Sequence, residues 1–187
     1  MILKNLSKSF VILVLLTMNA FANEETPRFT LIEREKNFEV RDYSEMVVAK
    51  TESDNSDNAM FRKLANYIFG GNESGLKIKM TAPVFMQSKE GQKSMMFYMP
   101  SKYNLEALPE PNSQEVQLGT VNLGRVAVIK YSGFNPMRKR KANFEKLLNW
   151  MDKKGLESFD NNFYSAGYDS PWTLPWNRKN EVLVLLK

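Results

Sequence analysis

The chain has 187 residues, 43% of them hydrophobic and 25% charged, with a formal net charge of +5 and neither His nor Cys. Such a length and composition suit one globular domain with a sizeable core and differ from those of a disordered chain. The two zeros exclude a Ser-His-Asp triad, a Cys-His pair, a zinc site of the usual kind and any disulfide within the chain.

The amino terminus reads as a leader. Lys4 and Lys8 form a basic start, Phe10 to Leu16 an apolar run, and Ala20-Phe21-Ala22 a small-x-small site before the polar Asn23-Glu24-Glu25. The run is shorter than the about 20 residues that a membrane span needs. A signal peptide over residues 1–22 is therefore expected, leaving an exported domain over residues 23–187, periplasmic or secreted, with no stable membrane span. Lys4 and Lys8 would leave with the leader, so two of the five net positive charges belong to it. The balance left over is too small to argue for a nucleic-acid partner.

Phe38 to Tyr43 alternates with period two and Met46 to Ala49 is a second short apolar run, so both read as strands. The polar cluster Ser53 to Asn58 offers N-caps for a helix whose Phe61, Leu64, Ala65 and Ile68 fall on one face, and Gly70-Gly71 closes it. Ile78, Met80, Val84 and Phe85 around Pro83, then Met95 to Met99, read as further strands, and Pro100, Pro109 and Pro111 mark a loop.

From Val116 the order repeats. Val126 to Tyr131 is extended, a break at Gly133 to Pro136 follows, and a second helix carries Phe144, Leu147, Leu148 and Met151 on one face up to Gly155. Phe163 to Ala166 and Glu181 to Leu186 are the closing strands, with a loop rich in Pro and Trp between them. Phe61-Arg62-Lys63-Leu64 is echoed by Phe144-Glu145-Lys146-Leu147. The pattern predicts an α+β fold of two duplicated βαββ units, paired as a distorted antiparallel barrel with two main helices outside, because neither half alone covers both faces of its sheet. A groove beside the helices suits a small apolar ligand.

Three places invite a functional reading. The loop Gly167 to Glu181 concentrates Trp172, Trp176, three other aromatic or proline positions and the cations Arg178 and Lys179; its Trp rings either stack on a flat ligand or cover an open barrel end. Met60 and Tyr67, seven residues apart, share a face that either lines a groove or joins the core. Arg138 to Lys141 puts four cations in the opening turns of the second helix, against the macrodipole, which is either a solvated run or a contact for an anionic partner such as a carboxylate or a lipid headgroup. Among carboxylates, Glu39, Asp42, Asp169 and Glu181 lie near strands, without diagnostic spacing.

Three segments in one order, Lys63 to Asn72 (KLANYIFGGN), Met80-Thr81-Ala82-Pro83-Val84, and Gly167-Tyr168-Asp169 through Arg178-Lys179-Asn180-Glu181-Val182, resemble the signature of the SOUL haem-binding family. The likeness spans roughly residues 28 to 187, and the ordered set is more specific than any one segment. It implies a pseudo-twofold barrel that holds haem or a related tetrapyrrole, without catalysis, in a groove flanked by the first helix and the late loop. Met60, Phe61, Arg62, Lys63, Tyr67, Tyr168, Trp172, Trp176, Arg178 and Lys179 are the residues expected there. Asn58, Asn66 and Leu174 stand where better known animal members carry basic side chains, so the propionates would fall to Arg62, Lys63, Arg178 or Lys179. Iron would have Met60, Tyr67 or Tyr168 as its nearest candidate ligands. Two other readings stand beside this one: a module for a different apolar effector, and a carboxylate-dependent hydrolase on the same barrel.

Overall fold

A computed structural model describes residues 24–53, 56–89 and 92–187. The expected leader and its cleavage site lie outside the described residues. Nine strands and two long helices follow in the order β1 (Phe29–Glu35), β2 (Phe38–Tyr43), β3 (Met46–Glu52), α1 (Asp57–Ile68), β4 (Val84–Lys89), β5 (Gln92–Tyr98), β6 (Gln117–Val121), β7 (Gly124–Ser132), α2 (Met137–Lys154), β8 (Tyr164–Gly167) and β9 (Lys179–Leu185).

All strands join one antiparallel sheet of order β1-β2-β7-β9-β8-β4-β5-β3-β6. Apart from β1 this order is a palindrome about the β8–β4 pair. The pseudo-twofold equates β2 with β6, β3 with β7, α1 with α2, β4 with β8 and β5 with β9. β2 hydrogen-bonds to β7 of the other half, and β6 to β3. Each half thus completes its sheet with a strand from the other, which is the physical reason that neither half closes its core alone.

Three apolar clusters follow from the period-two alternation of the strands. Val126, Val128, Leu183, Phe85, Met96 and Tyr98 point into the curl of the sheet. Ala127, Ile129, Val182 and Val184, on the opposite face, pack under Leu147, Trp150 and Met151 of α2. Ala49, Met95 and Phe97 pack under Met60, Leu64, Tyr67 and Ile68 of α1. With both faces covered, β7 and β9 read as near-continuous apolar runs.

The helices carry the duplication to the level of single positions. Met60, Leu64, Tyr67 and Ile68 are buried in α1, and Asn143, Leu147, Trp150 and Met151 take the same spacing in α2, where Arg140 is buried as well. The Ser56 hydroxyl accepts the Ala59 N–H at 3.3 Å and caps α1, while Gly155, at φ 66°, supplies the left-handed residue that ends α2. The buried stripe of α1 is rotated from the one expected: Met60 and Tyr67 are inside, and Phe61 moves to the exposed edge, its ring 5.2 Å from that of Phe97.

Two strands differ from expectation. β1 is an edge strand whose seven residues are all exposed, so no inward apolar alternation announces it. Ile78 and Met80, expected in a strand ahead of Pro83, belong to an irregular segment in which the Ile78 N–H closes onto the Ile68 carbonyl at 2.7 Å, while Val84 and Phe85 after Pro83 open β4 as expected.

Candidate functional site

β8 ends at Gly167 and β9 begins at Lys179. The loop between them presents Trp172 at 92% exposure, Trp176 at 69% and Leu174 at 52%. Large apolar side chains so open to water are rare unless something covers them in use. The loop is nevertheless stiff. The Arg178 guanidinium donates to the Thr173 carbonyl at 2.8 Å and to the Pro171 carbonyl at 2.5 Å. Asp169 accepts the Lys179 N–H at 2.5 Å, and Pro175–Asn177 forms one 3-10 turn.

The same guanidinium lies 5.1 Å from the ring centre of Phe134, itself 61% exposed. Asn180 donates to the Gly133 carbonyl at 2.9 Å. Both contacts seat the loop against the β7–α2 turn. An open cleft of about 480 Å³ there is lined by Phe134, Pro136, Arg138, Lys139, Ala142 and Pro175. The four-cation run of α2 divides its labour. Arg140 is buried and donates to Asp57 at 3.1 Å, tying the two helix starts together. Lys139 donates to the Ser132 carbonyl at 2.6 Å. Arg138 and Lys141 are exposed.

The ten residues expected in one groove occupy four places. Met60 and Tyr67 are 1% exposed beneath α1; the Tyr67 hydroxyl donates to the Pro109 carbonyl at 3.0 Å, and burial pushes its pKa up to about 12. Phe61, Arg62 and Lys63 lie on the outer side of α1, where Arg62 donates to the Asn58 carbonyl at 3.4 Å and Lys63 pairs with Glu115 at 2.5 Å. Trp172, Trp176 and Arg178 form the loop just described, while Tyr168 and Lys179 turn to a separate cavity.

That cavity opens at the mouth of the curled sheet beside β1, with a volume of about 440 Å³. Its floor is an ion cluster on the inward face of β2 and β9. Arg41 meets Glu181 through two hydrogen bonds, of 2.6 and 2.9 Å, and donates to Glu39 at 2.7 Å and to the Tyr43 hydroxyl at 2.8 Å. The Tyr168 hydroxyl donates to Glu181 at 2.7 Å, and Arg34 and Lys130 reach Glu39 at 2.7 and 2.5 Å.

Burial alone would raise the Glu39 pKa, but hydrogen bonds and charge from Lys130 and Arg41 hold it below its ordinary value. Burial pushes the Tyr43 hydroxyl up to about 12, and burial reinforced by the Glu181 charge drives Tyr168 further up. Both carboxylates, left open by the sequence as acid or base groups, have both oxygens occupied by cations or hydroxyls. Their chemistry is to neutralise Arg41. Sequence reasoning missed Arg41 and Tyr43. The signal was present in Glu39-x-Arg41-x-Tyr43, a polar triad on one face of a strand whose other face carries Phe38 and Val40.

Against known proteins, the model of the SOUL heme-binding protein family matches residues 24–185. Heme-binding protein 2 of Mus musculus is 32% identical over 162 residues, covering 80% of this chain and 78% of its own. Among solved structures, an uncharacterized conserved protein from Listeria innocua superposes with a TM-score of 0.65 at 12% identity, covering 82% of this chain and 93% of its own. A hydrolase from the same organism gives 0.59 at 10% identity, covering 92% and 97%. These low identities speak for the shared curled sheet with two helices and for nothing finer. The family match runs from the first described residues to the last strand, through all the strands and both helices laid out above, and the chain belongs to the SOUL heme-binding protein family.

Proposed function

We propose that this protein is an exported binding protein that holds haem or a related tetrapyrrole on the face formed by the β8–β9 loop and the start of α2, without catalysing a reaction. The observation that carries the reading is the exposure of Trp172, Leu174, Trp176 and Phe134 around one stiffened loop. A flat ring laid on those side chains covers apolar area that water otherwise wets, at about 25 cal/mol per Å². Arg138 and Lys139 line the adjoining cleft and supply cations for propionates. The family name and the name of the mouse relative point to the same ligand class.

The residues present fit the ring and its carboxylates better than they fit the metal. Met60 and Tyr67 are sealed in the core, and the raised pKa of Tyr168 keeps its phenol protonated and committed to Glu181. Bound haem would supply a redox-active iron; the protein side of the complex would be aromatic contact and charge, with affinity from buried area rather than from an axial bond. The occupied oxygens of Glu39 and Glu181 support binding over hydrolysis. Export rests on the leader-like first 22 residues, and no helix among the described residues is long and apolar enough to cross a membrane.

Haem titration followed by Soret absorbance and Trp fluorescence tests the proposal. Saturable quenching with a spectrum free of bis-His or thiolate character is expected. Unchanged absorbance and fluorescence on addition of haem would overturn it.

A further inference from the structure

We infer that the cavity at the mouth of the sheet is a second binding site, built to take a small aromatic carboxylate. It stands apart from the proposed tetrapyrrole face and does not depend on that reading. Its volume of about 440 Å³ falls within the range of small-molecule pockets. Phe29, Tyr43, Tyr131 and Tyr168 line it, with Pro27 at one side. Aromatic walls of this kind favour a flat, apolar body.

The choice of ligand charge follows from what the ion cluster leaves over. Glu181 accepts two Arg41 hydrogen bonds and one from Tyr168. Glu39 accepts from Arg34, Arg41 and Lys130. A cationic ligand therefore meets no free carboxylate among the described residues that line the cavity. An anionic ligand meets Lys179, whose ammonium has no partner among the described residues. It also meets the Tyr43 hydroxyl, whose oxygen already accepts from Arg41 and whose proton has no acceptor among the described residues. A carboxylate is the group that uses both, since it accepts from neutral and charged donors alike.

The wall on the Thr26-Pro27 side is held in place, not loosely draped. Glu25 accepts the Ser101 N–H at 2.7 Å, and its carbonyl accepts the Ala82 N–H at 3.0 Å. These bonds clamp the segment leading into β1 across the mouth, so the cavity is preformed and binding has little ordering to offset.

Calorimetric titration of the purified protein with 2-naphthoate, and with 2-naphthylmethylammonium as a cation of similar shape, tests the inference. Naphthoate is expected to bind about tenfold tighter than the ammonium, given the charge left unpaired at the rim. Lys179→Met should weaken naphthoate by about fivefold, the scale of one exposed charge pair. Tyr43→Phe should weaken it by about tenfold, as for a lost hydrogen bond to a charged group, with the haem titration unchanged. Trp172→Ala with Trp176→Ala should leave naphthoate binding intact. No naphthoate binding, ammonium binding equal or tighter, or loss of naphthoate binding in the Trp variant would each overturn the inference. Should Tyr43→Phe prove unfolded by circular dichroism, Lys179→Met decides alone: unchanged naphthoate affinity there rejects the site.

Discussion

The mouth of the sheet and the β8–β9 loop are two concentrations of aromatic and charged side chains built on opposite terms. At the mouth, Arg41, Glu39 and Glu181 are at most 5% exposed and each charge is answered by another. On the loop, the charges of Arg178 and Asp169 are spent on holding the backbone, while the Trp rings are left to water. The contrast separates what stabilises this fold from what is available to a ligand. A buried ion cluster is costly to break and leaves its carboxylates no spare valence, so that a ligand there is offered the Tyr43 hydroxyl and the rim rather than the ion pairs, whereas an exposed ring contributes little to folding and much to whatever covers it.

The sharpest way to break this contrast is at Arg41. Arg41→Ala leaves the buried Glu181 without its cation, while Glu39 keeps Arg34 and Lys130, and should cost about 3–5 kcal/mol in urea unfolding; a loss under about 1 kcal/mol would show that the cluster is not a structural element. The paired change on the loop, Trp172→Ala with Trp176→Ala, should lower haem affinity by more than about tenfold, from lost apolar contact, while unfolding free energy stays within about 0.5 kcal/mol. Equal losses in both measurements would merge the two regions into one.

The acid limb of stability sharpens the same point. The folded pKa of Glu39 lies below its ordinary value of 4.5. Its contribution is therefore present in full above the unfolded value and is lost as pH falls through the depressed folded one. Stability should drop as pH is taken below about 4.5, and Glu39→Gln should flatten that drop, as read by thermal melts across the acid range. A melt curve of Glu39→Gln with the same acid slope as the parent protein would reject the assignment. The smallest effect is expected on the outer side of α1. Because Arg62 and Lys63 are engaged locally, replacing both by Ala should change stability by about 0.5 kcal/mol or less and leave haem affinity within about twofold. A larger loss of haem affinity would move the binding face toward α1.

The pseudo-twofold adds a reason for the loop's character. β4 and β5 are the counterparts of β8 and β9, yet β5 starts at Gln92, soon after β4 ends at Lys89, while eleven residues, 168–178, separate β8 from β9. One frame occurs twice and only one copy carries the long aromatic insertion. The duplication serves folding; its asymmetry is where binding is expected.

Much of the frame was legible in the residues because helical and strand periodicities are local. The stripes around Leu64 and Leu147 marked both helices, and the runs at Val126 and Val182 marked two central strands. β1 was not legible, since an edge strand with no buried face leaves no alternation in Phe29 to Glu35. The exchange of β2 and β6 between halves was equally hidden, since strand pairing is set by distant backbone hydrogen bonds. In the site, Trp172, Trp176 and Arg178 stood out by composition, but that Met60 and Tyr67 are core depended on a rotation of α1 by about one position, which its own periodicity does not fix.

Taken alone, the sequence determined the absence of imidazole and thiolate chemistry, the duplicated α+β pattern and the loop that concentrates aromatics, because each is a property of composition or of near neighbours. Only the tertiary structure decided that Arg41 joins Glu39 to Glu181 across 140 residues of chain, that the loop rests on the start of α2, and that a cavity is left at the mouth. Charges and rings are drawn together there by the closing of two sheets' worth of strands into one, and no local pattern encodes how far a strand curls before it meets its partner.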